Sequence, residues 1–159
     1  MTLRIGHGID AHRLVDGRPL MLGCVDVPHD RGLAGHSDGD VVVHALCDAL
    51  LGAAGLGDMG RHFSSTYSRW AGTAGADFLT AVAEVLAGEG LRVVSAQVVA
   101  IAQRPRLAAH LDAMGAACAT ALGAEPRAVL VTATTSDGMG FTGRAEGIAA
   151  SAVALVEGQ

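Results

Sequence analysis

The chain contains no lysine: all eleven of its basic residues are arginine. That absence excludes a Schiff-base amine and the phosphate-gripping lysine of a Walker loop, since both need an amine on a flexible stem. Aromatic residues make up only 3% of the sequence, and 16 acidic against 11 basic residues leave a net charge of −5. A nucleic-acid surface wants basic stripes and stacking platforms, so no nucleic-acid partner is expected. Cysteine is scarce and odd in number. Cys24, Cys47 and Cys118 lie in apolar surroundings without CxxC spacing, which argues for buried reduced thiols rather than a disulfide framework or a cysteine-rich zinc site. No apolar run approaches the roughly 20 residues that cross a bilayer, and no secretory signal is visible. The mean hydropathy of +0.39 therefore reflects alanine and valine richness, and a soluble cytoplasmic protein without a membrane partner is expected. Any phosphate bound here must be met by metal ions, arginine or backbone.

With 159 residues, half of them hydrophobic, the chain is long enough to bury one core and short enough to be one domain, residues 1–159. Leu3 to Asp10 and Leu20 to Val27 read as strands, with Asp16-Gly17 a turn between them and Pro28 closing the second. Val41 to Leu51 reads as a helix capped by Ser37 and Asp38, with Gly52 and Gly55 as stop signals. Ser64 to Gly75 is polar and reads as a mobile loop. Phe78 to Ala87 has helical spacing, Leu91 to Ala102 is a β-former run, Leu107 to Leu122 follows Pro105 as a third helix, and Ala128 to Thr134 is β-branched. Ile148 to Val156 fits helix or strand. Interleaved in this way, the elements point to an α+β or α/β domain with helices packed on a sheet.

Three constellations carry chemistry. Asp10-Ala11-His12 near the end of the first strand has period-two spacing, which turns both polar side chains to one face. Alone, Asp-x-His is more often a turn carboxylate beside a surface histidine. The second, His36-Ser37-Asp38-Gly39-Asp40, leads into a helix on which His44 and Asp48 share a face at i and i+4. A histidine in an apolar helix is more often a satisfied core residue, but Asp48 could accept one ring N–H and leave the other nitrogen for a metal. Asp10, His12 and His44 would then be two imidazoles and a carboxylate suited to zinc with an open fourth position. The third, Thr134-Thr135-Ser136-Asp137 through Gly147, follows a strand. Its hydroxyls, glycines and carboxylate could surround a phosphate and a hard divalent cation, or form a glycine-rich surface loop.

Taken together, Gly6-His7-Gly8-Ile9-Asp10-Ala11-His12-Arg13, the run from Gly35 through His44-Ala45-Leu46-Cys47-Asp48 to Gly57-Asp58-Met59-Gly60, and the Thr134 to Gly147 loop closely resemble the 2-C-methyl-D-erythritol 2,4-cyclodiphosphate synthase family. The resemblance spans nearly the whole chain and is weakest between Tyr67 and Leu91. It implies a single α+β domain, a mixed β-sheet with helices on one face, assembling as a homotrimer with active sites between subunits. It also implies the family's reaction, in which the 2-phosphate of 4-diphosphocytidyl-2-C-methyl-D-erythritol 2-phosphate attacks the β-phosphorus and CMP leaves. The nucleophile belongs to the substrate, which suits a sequence without an evident activated serine, cysteine or lysine.

By the same resemblance, Asp10, His12 and His44 hold zinc, with Asp48 behind His44, and Asp137 holds magnesium or manganese bridging two phosphates. His36 and Thr135, flanked by Thr134 and Ser136, meet the reacting phosphates. Ser37, Phe63, Ser65 and Tyr67 lie along the methylerythritol portion, Asp58 and Gly60 at the ribose, and Ala102, Arg104, Arg106 and Leu107 around cytosine. Phe141, Arg144 and its partner Glu146 mark the diphosphate-binding end of an axial cavity that could take an isoprenoid diphosphate. The chain departs from the family pattern at Asp137, where many members carry Glu, at Thr132, where Lys is frequent, and at Ser64-Ser65-Thr66-Tyr67, where Pro-Asp-Thr-Asp is usual. Two other functions compete: a non-catalytic trimer that binds cytidine or isoprenoid diphosphates, and a zinc hydrolase.

Overall fold

The structure, a computed structural model, describes residues 1–158. β1 (Thr2–Asp16) is followed by three short strands, β2 (Leu20–Leu22), β3 (Val25–Val27) and β4 (Arg31–Leu33). Then come α1 (Val41–Ala54), α2 (Met59–His62), a 3-10 turn at Ser68–Trp70, α3 (Gly75–Gly88), β5 (Leu91–Ile101), α4 (Leu111–Ala121), β6 (Val129–Thr134), α5 (Gly140–Gly143) and β7 (Gly147–Gly158). The main sheet has the order β4-β1-β7-β5-β6, and β2 and β3 form a separate hairpin. Only the β5–β6 pair is parallel, so the sheet is mixed as expected. α1, α3 and α4 all pack on the same face of it.

One strand shows why the faces differ. On β1, Gly6 and Gly8 turn toward α1, where a Cβ would lie 2.0 Å from the Ala49 carbonyl oxygen and 2.2 Å from that of Ala45. Only glycine lets the helix backbone come so close. The alternate residues Leu3, Ile5 and Ile9 face away and are more than half exposed. α1 itself is buried nearly all round, clasped between the sheet and α3. Its exceptions are His44, Asp48 and Gly52, a single stripe at i, i+4 and i+8.

Several boundaries differ from the sequence expectation. Leu20 to Val27 is not one strand but a hairpin turning at Gly23-Cys24, both at positive φ, and Cys24 gives no compositional sign of that conformation. The α1 cap is Asp40, whose carboxylate accepts the Val43 N–H, rather than Ser37 or Asp38. Asp40 also accepts the N–H groups of Gly23 and Cys24, so the cap ties the hairpin to the helix. The third helix starts at Leu111, after a turn over Leu107 to His110. The ambiguous last stretch is a strand at the centre of the sheet, where Ala150, Ala152, Ala154 and Val156 are buried toward the helices and Ser151, Val153 and Leu155 alternate with them. The Ser64 to Gly75 segment carries Trp70, which packs on Phe63 and Phe78 at centroid distances of 4.9 and 5.7 Å.

Candidate metal centre and substrate cleft

The fold brings Asp10 and His12 from β1 against His44 in the first turn of α1. His12 Nε2 and His44 Nδ1 lie 2.8 and 3.0 Å from Asp10 Oδ2, and 3.1 Å from each other. Ligand atoms around a tetrahedral zinc are roughly 3.3 Å apart, so opening this cluster by a few tenths of an ångström admits the ion. The remaining ring nitrogens are engaged. His12 Nδ1 is 2.5 Å from the Ala34 carbonyl oxygen, which can only accept, so Nδ1 carries a proton and Nε2 is the nitrogen turned toward Asp10 and His44. His44 Nε2 lies 3.1 Å from Ser37 Oγ. Outer partners of this kind orient metal-binding imidazoles. All three side chains are mostly buried yet still open to solvent, which leaves room for a fourth ligand. Among the described residues this is the one His/Cys/Asp/Glu group close enough to hold a metal ion.

The electrostatics agree with a cation site. Burial opposes charge on Asp10, but hydrogen bonds from His12 and His44 outweigh it and hold the carboxyl well below the usual carboxylate range. The bond to Asp10 raises the proton affinity of His12 above the ordinary imidazole value, against the opposing effect of burial. The three groups hold a proton where the donor set suits a metal.

Asp48 corrects an expectation. Its carboxylate accepts the Met59 N–H at 2.8 Å instead of backing His44, and that place is taken by Ser37. Burial then raises the Asp48 carboxyl, with Asp58 and Asp10 nearby adding to the effect and the Met59 bond opposing it. Asp48 thus anchors the start of α2, whose cap Asp58 accepts the Arg61 N–H at 3.0 Å and whose Gly60 is exposed. Ser37 is buried and committed to His44 and to the Gly39 N–H, whereas His36 is exposed. Phe63 packs edge-on against Phe78, which in turn meets the His44 ring at 5.9 Å, while Ser65 and Tyr67 are exposed.

The other sequence-predicted residues gather at the same end of the sheet. Asp10 is level with Ala150, Ala100 and Ala133, so the loops after β5 and β6 lie level with the triad, two and three strands or about 10 and 14 Å away. Ala102 N–H donates to the Thr134 carbonyl, and Gly138 N–H to Gln103 Oε1 at 3.2 Å, which joins the two loops. Between them is a cavity of about 450 Å³ lined by Gln103, Arg104, Pro105, Arg106, Thr135 and His29. Leu107 is buried beneath, Arg104-Pro105 is cis, and both arginines are exposed. His29, whose buried Nε2 lacks a hydrogen-bond partner, was not singled out in the sequence, since it belongs to none of the motifs.

In the third constellation, Ser136 Oγ donates to the Met139 carbonyl and lies 2.7 Å from Thr142 Oγ1, and Asp137 N–H donates to Thr135 Oγ1. Asp137 adopts φ +55°, which presents its exposed carboxylate at the tip of the turn. Thr134 projects from the open face of the sheet, opposite the helices. Arg144 and Glu146 pair at 2.9 Å on the surface, beside a cavity of about 220 Å³ lined by Ala11, His12, Arg13, Phe141, Glu146 and Gly147.

The chain resembles known proteins over its full fold. It is 54% identical over 155 residues to the 2-C-methyl-D-erythritol 2,4-cyclodiphosphate synthase of Symbiobacterium thermophilum, covering 98% of this chain and 99% of that protein. A solved 2C-methyl-D-erythritol-2,4-cyclodiphosphate synthase in a CDP-bound form superposes with a TM-score of 0.87 at 36% identity, covering 97% of this chain and all of the other. The bifunctional IspDF of Campylobacter jejuni superposes with a TM-score of 0.95 at 33% identity, where this chain covers 99% of itself and 43% of that protein. Residues 3–157 match the family model, and the chain belongs to the YgbB family.

Proposed function

We propose that the Asp10–His12–His44 centre and the Asp137 loop together carry out the cyclisation after which the relatives are named. The chain is a cyclodiphosphate synthase: it converts 4-diphosphocytidyl-2-C-methyl-D-erythritol 2-phosphate to 2-C-methyl-D-erythritol 2,4-cyclodiphosphate and CMP, a phosphorus–oxygen lyase reaction of non-mevalonate isoprenoid biosynthesis. The observation that carries this reading is the convergence of three metal donors whose outer nitrogens are already engaged. Asp10, His12 and His44 would hold zinc, a borderline-soft ion at home with imidazole, and Asp137 a magnesium or manganese ion, which favours hard oxygen ligands. When bound, these cations neutralise charge on adjoining phosphoryl oxygens.

The chain's own residues do the positioning. The substrate supplies nucleophile and leaving group, so the protein must press two anionic phosphates together and orient them in line. His36, exposed beside the triad, donates to a phosphate oxygen, and the Thr135 hydroxyl does so from the opposite side with Thr134 and Ser136 shaping the loop. Phe63, Ser65 and Tyr67 flank the methylerythritol, Asp58 and Gly60 the ribose, and the Ala102 to Leu107 loop reads cytosine through its backbone. Ser37 acts through His44.

A homotrimer supports this division of labour. Asp10 faces the helix side of the sheet and Thr134 the open side, about 14 Å apart, too far for one diphosphate to be shared within a single chain. The open face also exposes Leu3, Ile5, Ile9, Leu130 and Val153, an apolar surface suited to copies packing around a threefold axis. Phe141, Arg144 and Glu146 close one end of that axis, where an isoprenoid diphosphate could sit. The cytoplasm is the location that goes with this reading, and no helix among the described residues is long and apolar enough to cross a membrane.

Phosphorus NMR on the protein with zinc, magnesium and substrate tests the reading. CMP and a cyclic diphosphate are expected. Tight binding without turnover would turn the assignment to a ligand-binding trimer, and solvent oxygen in a product phosphate to a zinc hydrolase.

A further inference from the structure

Arg18 belongs to none of the motifs, yet its guanidinium reaches the loop before α1. Nη1 donates to the Gly35 carbonyl at 2.8 Å and Nη2 to the Ser37 carbonyl at 2.6 Å. The carbonyl between them, that of His36, accepts the Gly72 N–H at 2.9 Å, and the one before them, Ala34, accepts from the His12 ring. Four successive carbonyls, 34 to 37, are thus each held by a donor, two of them by one side chain. The arginine is itself seated. Gly17 at φ +77° turns the chain after β1, and Gly32 of β4 packs so closely on the next residues that a Cβ there would fall 2.2 Å from the Pro19 and 2.5 Å from the Arg18 carbonyl oxygens.

The clamped segment also carries the outer partners of both candidate metal histidines: the Ala34 carbonyl for His12 and the Ser37 hydroxyl for His44. We infer that Arg18 is a positioning residue of the metal centre, its planar fork fixing Gly35 and Ser37 so that Ala34 and Ser37 hold the two imidazoles with their lone pairs converging. This rests on the zinc reading of the triad. Only a guanidinium spans two carbonyls at once with coplanar donors; an ammonium is a point donor.

Charge alone and geometry make opposite predictions. A fixed cation close to a cation site repels the metal, so if charge were its only contribution, removing Arg18 would tighten zinc binding. If the fork orients the histidines, removing it weakens binding, by roughly tenfold on the scale seen when outer partners of metal ligands are lost. The experiment is zinc transfer from the loaded protein to a chromophoric chelator at fixed pH, together with thermal melting. Arg18→Ala is expected to raise the zinc Kd about tenfold, and Arg18→Lys, which keeps the charge without the fork, to be at least as weak. Thr80→Val, which removes hydroxyl bonds to the Ala76 and Ala121 carbonyls far from the site, is expected to lower Tm without changing the zinc Kd.

Unchanged or tighter zinc in Arg18→Ala overturns the inference, as does full recovery in Arg18→Lys or an equal zinc loss in Thr80→Val at matched Tm. His44→Ala separates the two levels. If it keeps zinc, the triad reading itself fails; if it loses zinc while Arg18→Ala does not, only the role of Arg18 falls.

Discussion

At the start of α1, Asp10, His12 and His44 meet in a mostly buried cluster in which each imidazole is also held from behind; three strands away, Thr135 and Asp137 stand exposed on a turn whose hydrogen bonds run mainly within itself. The first region is assembled by tertiary packing: a strand, a helix and a connecting loop each contribute, and glycines at positions 6 and 8 let the helix close on the strand. The second is shaped by local sequence, a Ser-Asp-Gly turn joined to its neighbour through Gln103. A metal centre for a borderline ion needs its donors fixed in advance, because no ligand assembles them. A loop that grips phosphate can leave its groups free until substrate or a second subunit arrives.

That contrast can be broken from either side. His44→Ala removes a donor from the prearranged cluster and should abolish zinc retention and cut turnover by at least about a thousandfold, read by metal content and phosphorus NMR. Asp137→Ala should leave zinc bound but lower kcat by about a hundredfold, since it removes one charge-neutralising contact at the reacting phosphates. Ser37→Ala should raise the zinc Kd by about ten- to a hundredfold, because His44 loses its outer partner and the Gly39 N–H of the same loop loses its acceptor. Gln103→Ala removes the side-chain tie between the two loops, leaving the Ala102–Thr134 backbone bond, and should raise KM only a few-fold, as expected for one exposed hydrogen bond.

pH sharpens the same comparison in zinc-free protein. His12 binds its proton more tightly when folded, so its contribution to stability is fully present below its ordinary pKa of 6.5 and is lost as pH rises through the elevated folded value. The depressed Asp10 contributes above its ordinary 3.8 and loses that contribution as pH falls through the lowered folded value. The Tm advantage of wild type over His12→Gln should therefore be greatest between about pH 4 and 6.5 and shrink above that window. Zinc must displace the proton, so its affinity should rise with pH through the same upper limit.

Much of this was legible because some residue patterns survive any packing. Period-two spacing placed Asp10 and His12 on one face, and β1 does present them together; the i, i+4 pair of His44 and Asp48 marks the one stripe of α1 that is not buried. What period alone cannot say is which way a side chain turns once a neighbour competes for it. Asp48 shares the His44 stripe but meets the Met59 N–H first, while Ser37, expected along the substrate, lies close enough to His44 to take the ring nitrogen. Cys24 and Asp40 likewise read as ordinary residues until the hairpin and the helix start are brought together.

The sequence by itself determined the single domain, the helix and strand propensities, the absence of a lysine chemistry and the identity of three candidate metal donors, because composition, spacing and residue type are local properties. Tertiary structure decided which candidate donors face one another, that Ser37 rather than Asp48 backs His44, that Arg18 from the turn after β1 clamps the loop before α1, and that Asp10 and Thr134 face opposite sides of one sheet. Those outcomes depend on contacts between residues 7 to 34 positions apart, where packing and competition for hydrogen-bond partners, rather than local preference, choose the winner.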